Sequence, residues 1–133
     1  MTRPHLFTLV VYSSDTEPCG NVEKHAFEAN VLIHECGNSS LGHQQGHSNP
    51  EEVANLALKC RVKQLYLVHL PSEFIADPSI AVERVKKIFK DTVVIPSDLE
   101  SISISMCSIK NLALNVPLDS HDPLRSDSYH QKR

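Results

Sequence analysis

Asp15, the His34-Glu35 pair, His47 and His69 are the residues whose types and placing could do chemistry in this chain. Three of these positions close an apolar run. Leu6 to Tyr12 stops in Ser13-Ser14-Asp15-Thr16, Val31-Leu32-Ile33 runs into His34-Glu35, and Leu65-Tyr66-Leu67-Val68 runs into His69. A strand that ends in a carboxylate or an imidazole can present it for metal binding or proton transfer. Each residue also has an ordinary reading. An Asp after a strand is commonly a turn residue or a helix cap. A His closing a buried strand can bond a carbonyl as well as a metal. His34 and Glu35 are either polar residues past a strand or a carboxylate–histidine support for a site. His43 and His47 stand four apart, but in a Gly-rich stretch where helical geometry is not expected. His47 differs from His43, because Gly46-His47-Ser48 precedes a helix start, where a ring could face a bound anion beside free backbone N–H groups.

The bulk composition bounds what such residues could serve. The chain has 133 residues, 41% hydrophobic and 22% charged, which suits one soluble domain with one core. Its net charge of −3, with no dense basic run, gives no electrostatic footprint for nucleic acid. The four cysteines, Cys19, Cys36, Cys60 and Cys107, form no C-x-x-C pair, so reduced thiols in a cytoplasmic protein are the plain expectation. No apolar run near the N-terminus is long enough for a membrane span.

The elements that would position these residues alternate. After the strand Leu6–Tyr12, expected to be buried, and the turn Ser13–Pro18, a helix is predicted over Cys19–Asn30, with Val22, Ala26 and Ala29 on one face. A strand over Val31–Glu35 and a loop over Cys36–Asn49 follow. Asn49, Pro50 and Glu52 then predict a capped helix start, with Val53, Leu56, Ala57 and Cys60 facing the core. The third strand is Gln64–Val68, and Leu70–Ile75 reads as a loop. Asp77-Pro78 opens a further helix, with Val82, Val85, Ile88 and Phe89 toward the core and Glu83, Arg84, Lys86 and Lys87 solvated. Thr92–Ile95 is a fourth strand, and Ser101–Met106 alternates like an edge strand. Residues 116–133 read as a flexible tail after a domain spanning 1–115. This β-α-β alternation implies an α/β layer with largely parallel strands, whose ligands sit beyond the carboxyl ends.

Taken in order, strand-Ser-Asp-Thr, strand-His-Glu, Gly-His-Ser-x-Pro-Glu-helix and strand-His resemble the C-terminal half of the metallo-β-lactamase fold hydrolases. The likeness is greatest to the ribonuclease Z branch and its phosphodiesterase relatives. Tyr12–Cys19, Val31–Glu35, Gly46–Glu52 and Gln64–Leu70 carry it, and Val93–Ile104 resembles that family's closing hairpin. The resemblance implies half of an αββα sandwich, one sheet layer with covering helices. It implies Asp15 as a carboxylate bridging two zinc ions, His69 as the last histidine ligand, and His47 as the residue that assists the leaving oxygen. His34, Glu35 and Ser48 would stand behind them. The implied chemistry is metal-assisted hydrolysis of a phosphodiester, such as an RNA 3′ end or a cyclic nucleotide.

The chain departs from the family by lacking its His-x-His-x-Asp-His cluster. Asp15 and His69 alone are two ligands, whereas a catalytic zinc usually takes three from protein. Metal binding by this chain alone should therefore be weak or absent. One sheet layer alone should also leave an apolar face uncovered. Three readings follow: a metallohydrolase portion completed by an N-terminal half, an inactive half-domain that pairs with itself or a partner as a binding or structural module, or an unrelated small α/β protein.

Overall fold

A computed structural model describes residues 7–104. Its elements run β1 (Val10–Tyr12), α1 (Gly20–Ala26), β2 (Val31–Glu35), α2 (Pro50–Lys59), β3 (Gln64–Val68), α3 (Ser72–Ala76), α4 (Pro78–Lys86) and β4 (Thr92–Val94). The four strands form one sheet in the order β1-β2-β3-β4, and every neighbouring pair is parallel. Successive right-handed crossovers that all step the same way put their helices on one side of a sheet.

The register identifies that side. Leu32 pairs with Leu65 and His34 with Leu67, while Val11 and Val93 flank them. Leu32, Leu65 and Leu67 pack in the core with Val22 and Ala26 of α1, Val53, Leu56 and Ala57 of α2, and Phe74, Ala81, Val85 and Phe89. Val10, Tyr12, Ile33, Tyr66 and Val94 alternate onto the opposite face. There Val10 is 42% and Tyr12 64% exposed. This corrects the expectation of a buried first strand: β1 has a helix against one face only. Of the apolar positions on the face expected to be uncovered, only those of β1 are exposed, while Val31 and Tyr66 on the same face are buried.

Local signals account for α2. Asn49 accepts from the N–H of Glu52 at 2.9 Å, the Glu52 carboxylate accepts from the N–H of Asn49 at 2.9 Å, and Pro50 opens the helix. At its other end Arg61 turns left-handed (φ 55°), and the N–H groups of Arg61 and Val62 donate to Leu58 and Ala57. That is a Schellman closure without its usual glycine.

Other boundaries move. α1 stops at Ala26, because the chain turns at Phe27 and Glu28 (φ 57°) to enter β2. The segment Leu70–Ile75, read as a loop, contains most of α3, which runs on to Ala76. Its Phe74 is buried, and the N–H of Phe74 donates to Pro71. On α4 the fully buried positions are Ala81 and Val85, with Phe89 beyond its end, while Val82 and Ile88 are only partly covered. Arg84, expected in solvent, is 13% exposed and bonded on several sides. Ser101–Ile104 forms no strand, and Ser105 and Met106 lie outside the described residues, as does the segment 116–133. Among the described residues no helix is long and apolar enough to cross a membrane.

Candidate functional site

The site assembles beyond the carboxyl ends of β1, β2 and β3, and Glu35 is its centre. The last residue of β2, Glu35 is fully buried. Its Oε1 accepts from the N–H of Ser48 at 3.0 Å and of Thr16 at 3.2 Å, and its Oε2 accepts from the N–H of Gly37 at 2.6 Å. Charge-assisted bonds of this kind are stronger than neutral ones. They tie the turn after β1, the turn after β2 and the approach to α2 to one carboxylate. Two further bonds close the same knot. The Ser48 hydroxyl donates to the Thr16 carbonyl at 2.8 Å, and the Ser13 hydroxyl accepts from the N–H of Glu35 at 3.2 Å.

His47 rests against this carboxylate. Its Nδ1 lies 3.3 Å from Glu35 Oε1 and is buried, but it makes no aligned hydrogen bond. The pair is in contact by distance and not by angle, an arrangement common in catalytic pairs before substrate binds. The His47 ring stacks on that of His69, with centroids 5.5 Å apart and planes within 8°. His69 Nδ1 in turn lies 3.6 Å from Asp15 Oδ1, and both of those side chains are about half exposed. Glu35, His47, His69 and Asp15 therefore form a continuous row from buried to exposed.

Backbone geometry makes the row possible. His69 (φ 52°) and Ser14 (φ 59°) both adopt the left-handed conformation where β1 and β3 end. Such residues are uncommon outside glycine, and they collect at functional sites. Gly46 (φ 79°) lets the chain turn back so that the N–H of His47 reaches the Gln44 carbonyl. Gly37 serves by its lack of a side chain. A Cβ there would lie 3.0 Å from His47 Nδ1, 3.1 Å from Glu35 Oε2 and 3.1 Å from His69 Cδ2.

The structure thus brings together Asp15, Glu35, His47, Ser48 and His69, and it leaves His34 out. Alternation along β2 turns His34 to the helix-covered face, fully buried, with Nδ1 2.7 Å from the Glu35 carbonyl and Nε2 without a partner. Burial holds its pKa below the usual imidazole value. His43 also stands apart. It bridges Glu17 and Glu52, each at 2.9 Å, and these partners raise its pKa. Cys36 is no nucleophile, because burial and the nearby Glu35 charge push its thiol up to about 12. Thr16 and Gly37 escaped sequence reasoning because they act through backbone N–H groups, which any residue type carries.

The donor set bears on a metal. Asp15 and His69 are one carboxylate and one imidazole, and among the described residues no three His, Cys, Asp or Glu side chains gather to hold an ion. The residues present do not fit a catalytic zinc by themselves.

With this geometry the chain can be compared with known proteins. No family model matches it. It is similar to the ribonuclease Z of Picrophilus torridus, 36% identical over 87 residues, which are 62% of this chain and 28% of that protein. It is also similar to the ribonuclease Z of Bacillus licheniformis, 37% identical over 90 residues (64% and 29%), and that of Archaeoglobus fulgidus, 31% identical over 100 residues (72% and 32%). In structure it resembles the metallo-β-lactamase fold protein YhfI of Bacillus subtilis, with a TM-score of 0.58 and 27% identity, covering 65% of this chain and 36% of that one. Human tRNase Z, short form, gives a TM-score of 0.53 and 26% identity, covering 72% and 33%. The chain spans about a third of the length of the curated relatives it matches.

Proposed function

From a chain that is ribonuclease Z-like in sequence and forms part of a metallo-β-lactamase fold, we propose one side of a phosphodiesterase active site. The observation that carries this reading is the row Glu35–His47–His69–Asp15 at the strand ends. Glu35, fixed by three backbone N–H groups, has its Oε1 3.3 Å from Nδ1 of His47. That leaves Nε2 of His47 to give a proton to the departing oxygen of a phosphodiester, such as an RNA 3′ end or a cyclic nucleotide. An imidazole is suited to that task because its ordinary pKa lies near neutrality. Asp15 and His69 face outward as a partial ligand set. A complementary N-terminal half carrying a His-x-His-x-Asp-His segment would supply the remaining ligands for zinc.

The test is reconstitution. This chain, mixed with the N-terminal two-thirds of a ribonuclease Z relative and zinc, should hydrolyse bis-p-nitrophenyl phosphate. His47→Ala should then lower the rate by about 10²–10⁴-fold, the usual worth of general acid–base catalysis. An unchanged rate in His47→Ala, or zinc uptake by the mixture that Asp15→Ala does not reduce, sinks the reading.

A second reading draws on the exposed positions Val10 and Tyr12 on the sheet face opposite the helices. On this reading the chain is an inactive half-domain that covers that face with a second copy or another protein. Sedimentation separates the two, since a stable homodimer that excludes the N-terminal segment supports only the second.

A further inference from the structure

We propose that Arg84, on α4 and remote in sequence from the site, is a positioning residue for His47; its catalytic meaning rests on the reading above. The Arg84 guanidinium donates to the Ser39 carbonyl at 2.7 Å, to the Ser40 carbonyl at 3.0 Å and, through Nε, to Glu51 Oε1 at 2.8 Å. A second bond, from Nη2, reaches Glu51 Oε2, and Cζ sits 5.7 Å from the centroid of the Phe74 ring. One planar group thus joins α4, the first turn of α2, the ring of α3 and the loop between β2 and α2. A guanidinium can bond two carbonyls and a carboxylate at once in fixed geometry, whereas an ammonium is a point charge on a flexible stem.

What the guanidinium grips is the loop that carries His47. Immediately before the gripped carbonyls, Asn38 is buried and folds the loop on itself. Its Oδ1 accepts from the N–H and hydroxyl of Ser40, and its Nδ2 donates to the Gly42 carbonyl. The N–H of Asn38 donates to the Ser48 carbonyl at 3.2 Å, and the N–H of Ser48 donates to Glu35. The Asn49 amide also reaches the Gly42 carbonyl at 3.3 Å. A chain of bonds therefore runs from Arg84 through Ser39-Ser40 and Asn38 to Ser48, the neighbour of His47. Beyond Cys36, which is buried in the core, the loop is made of Gly, Ser, Asn, Gln and His apart from Leu41, which is 83% exposed. A polar segment is held by hydrogen bonds: Glu35 ties down its two ends through Gly37 and Ser48, and Arg84 ties its middle, at Ser39 and Ser40, to α4 and α2.

The experiment uses the isotope-labelled full chain and its Arg84→Lys and Arg84→Met variants. Amide exchange and the His47 ring resonances are followed by NMR. In both variants the N–H groups of Asn38, Ser40 and Ser48 should exchange at least roughly tenfold faster, while those of Leu32 and Leu67 hold their rates, as local opening requires. The His47 ring signals should move away from their positions in the stack with His69. In the reconstituted enzyme Arg84→Lys should lower kcat on bis-p-nitrophenyl phosphate and leave KM nearly unchanged. Unaltered loop exchange overturns the proposal, as does an equal acceleration at Leu32 and Leu67, which is general destabilisation. Arg84→Lys decides the matter if Arg84→Met does not fold. Absence of hydrolysis in the unsubstituted mixture counts against the phosphodiesterase reading alone, because exchange and ring signals still report on Arg84.

Discussion

The two ends of the Glu35–His47–His69–Asp15 row are built in opposite ways. At one end Glu35 is fully buried and takes three backbone N–H groups. At the other, Asp15 and His69 are about half exposed and have one another at 3.6 Å. A buried carboxylate persists only when its oxygens are satisfied, so this chain completes that end itself. An exposed pair needs nothing from the fold, since water solvates it. The contrast separates an end that the chain completes itself from an end that it leaves to solvent.

Substitution at the buried end should have the largest effect. Glu35→Leu strands the N–H groups of Thr16, Gly37 and Ser48 together and should cost about 3–5 kcal/mol of stability, the range for breaking a buried charged network. Glu35→Gln keeps an acceptor and should cost less. Urea denaturation measures both, and a loss below that of an ordinary surface substitution would end the claim that Glu35 organises the site.

Gly37→Ala tests how closely the two ends are packed. Its Cβ meets His47, Glu35 and His69 at 3.0–3.1 Å. Overpacking of this kind costs roughly 1–3 kcal/mol. Here it should also unstack the two rings, seen as a shift of their NMR signals. An alanine variant with unmoved ring signals would mean that the rings are free to yield.

Acid should destabilise the fold through a buried histidine that lies outside the row. His34 has its pKa lowered by burial, so between about pH 6.5 and that lower value the unfolded chain binds more protons than the folded one. Stability from this group is full above pH 6.5 and is lost as pH falls through that window. His34→Leu should remove that slope from the curve of stability against pH. The same dependence of stability on pH from 7 to 5.5 in wild type and His34→Leu contradicts the assignment.

The exposed end should be the least sensitive. Asp15→Asn and His69→Ala should change stability by no more than about 0.5 kcal/mol, as for other exposed substitutions. Thermal denaturation of both variants checks this. A large loss would make the pair structural and erase the distinction between the ends.

Sequence by itself determined the features whose causes are local. The capping box at Asn49 and Glu52 lies within one helical turn, and the core strands Val31–Glu35 and Gln64–Val68 are apolar runs of the length the sheet uses. Asp15, His47 and His69 were legible as side chains able to do chemistry. Tertiary structure alone decided what joins them. Glu35 became the centre because backbone N–H groups from three separate turns converge on it, and a backbone donor leaves no mark in residue type. His34 and Glu35 are adjacent in sequence, yet the pleat sends them to opposite faces of the sheet. Arg84 sits among charged residues that sequence places in solvent. It is held instead by carbonyls of a loop more than forty positions earlier in the chain, and no local pattern records such a long-range bond.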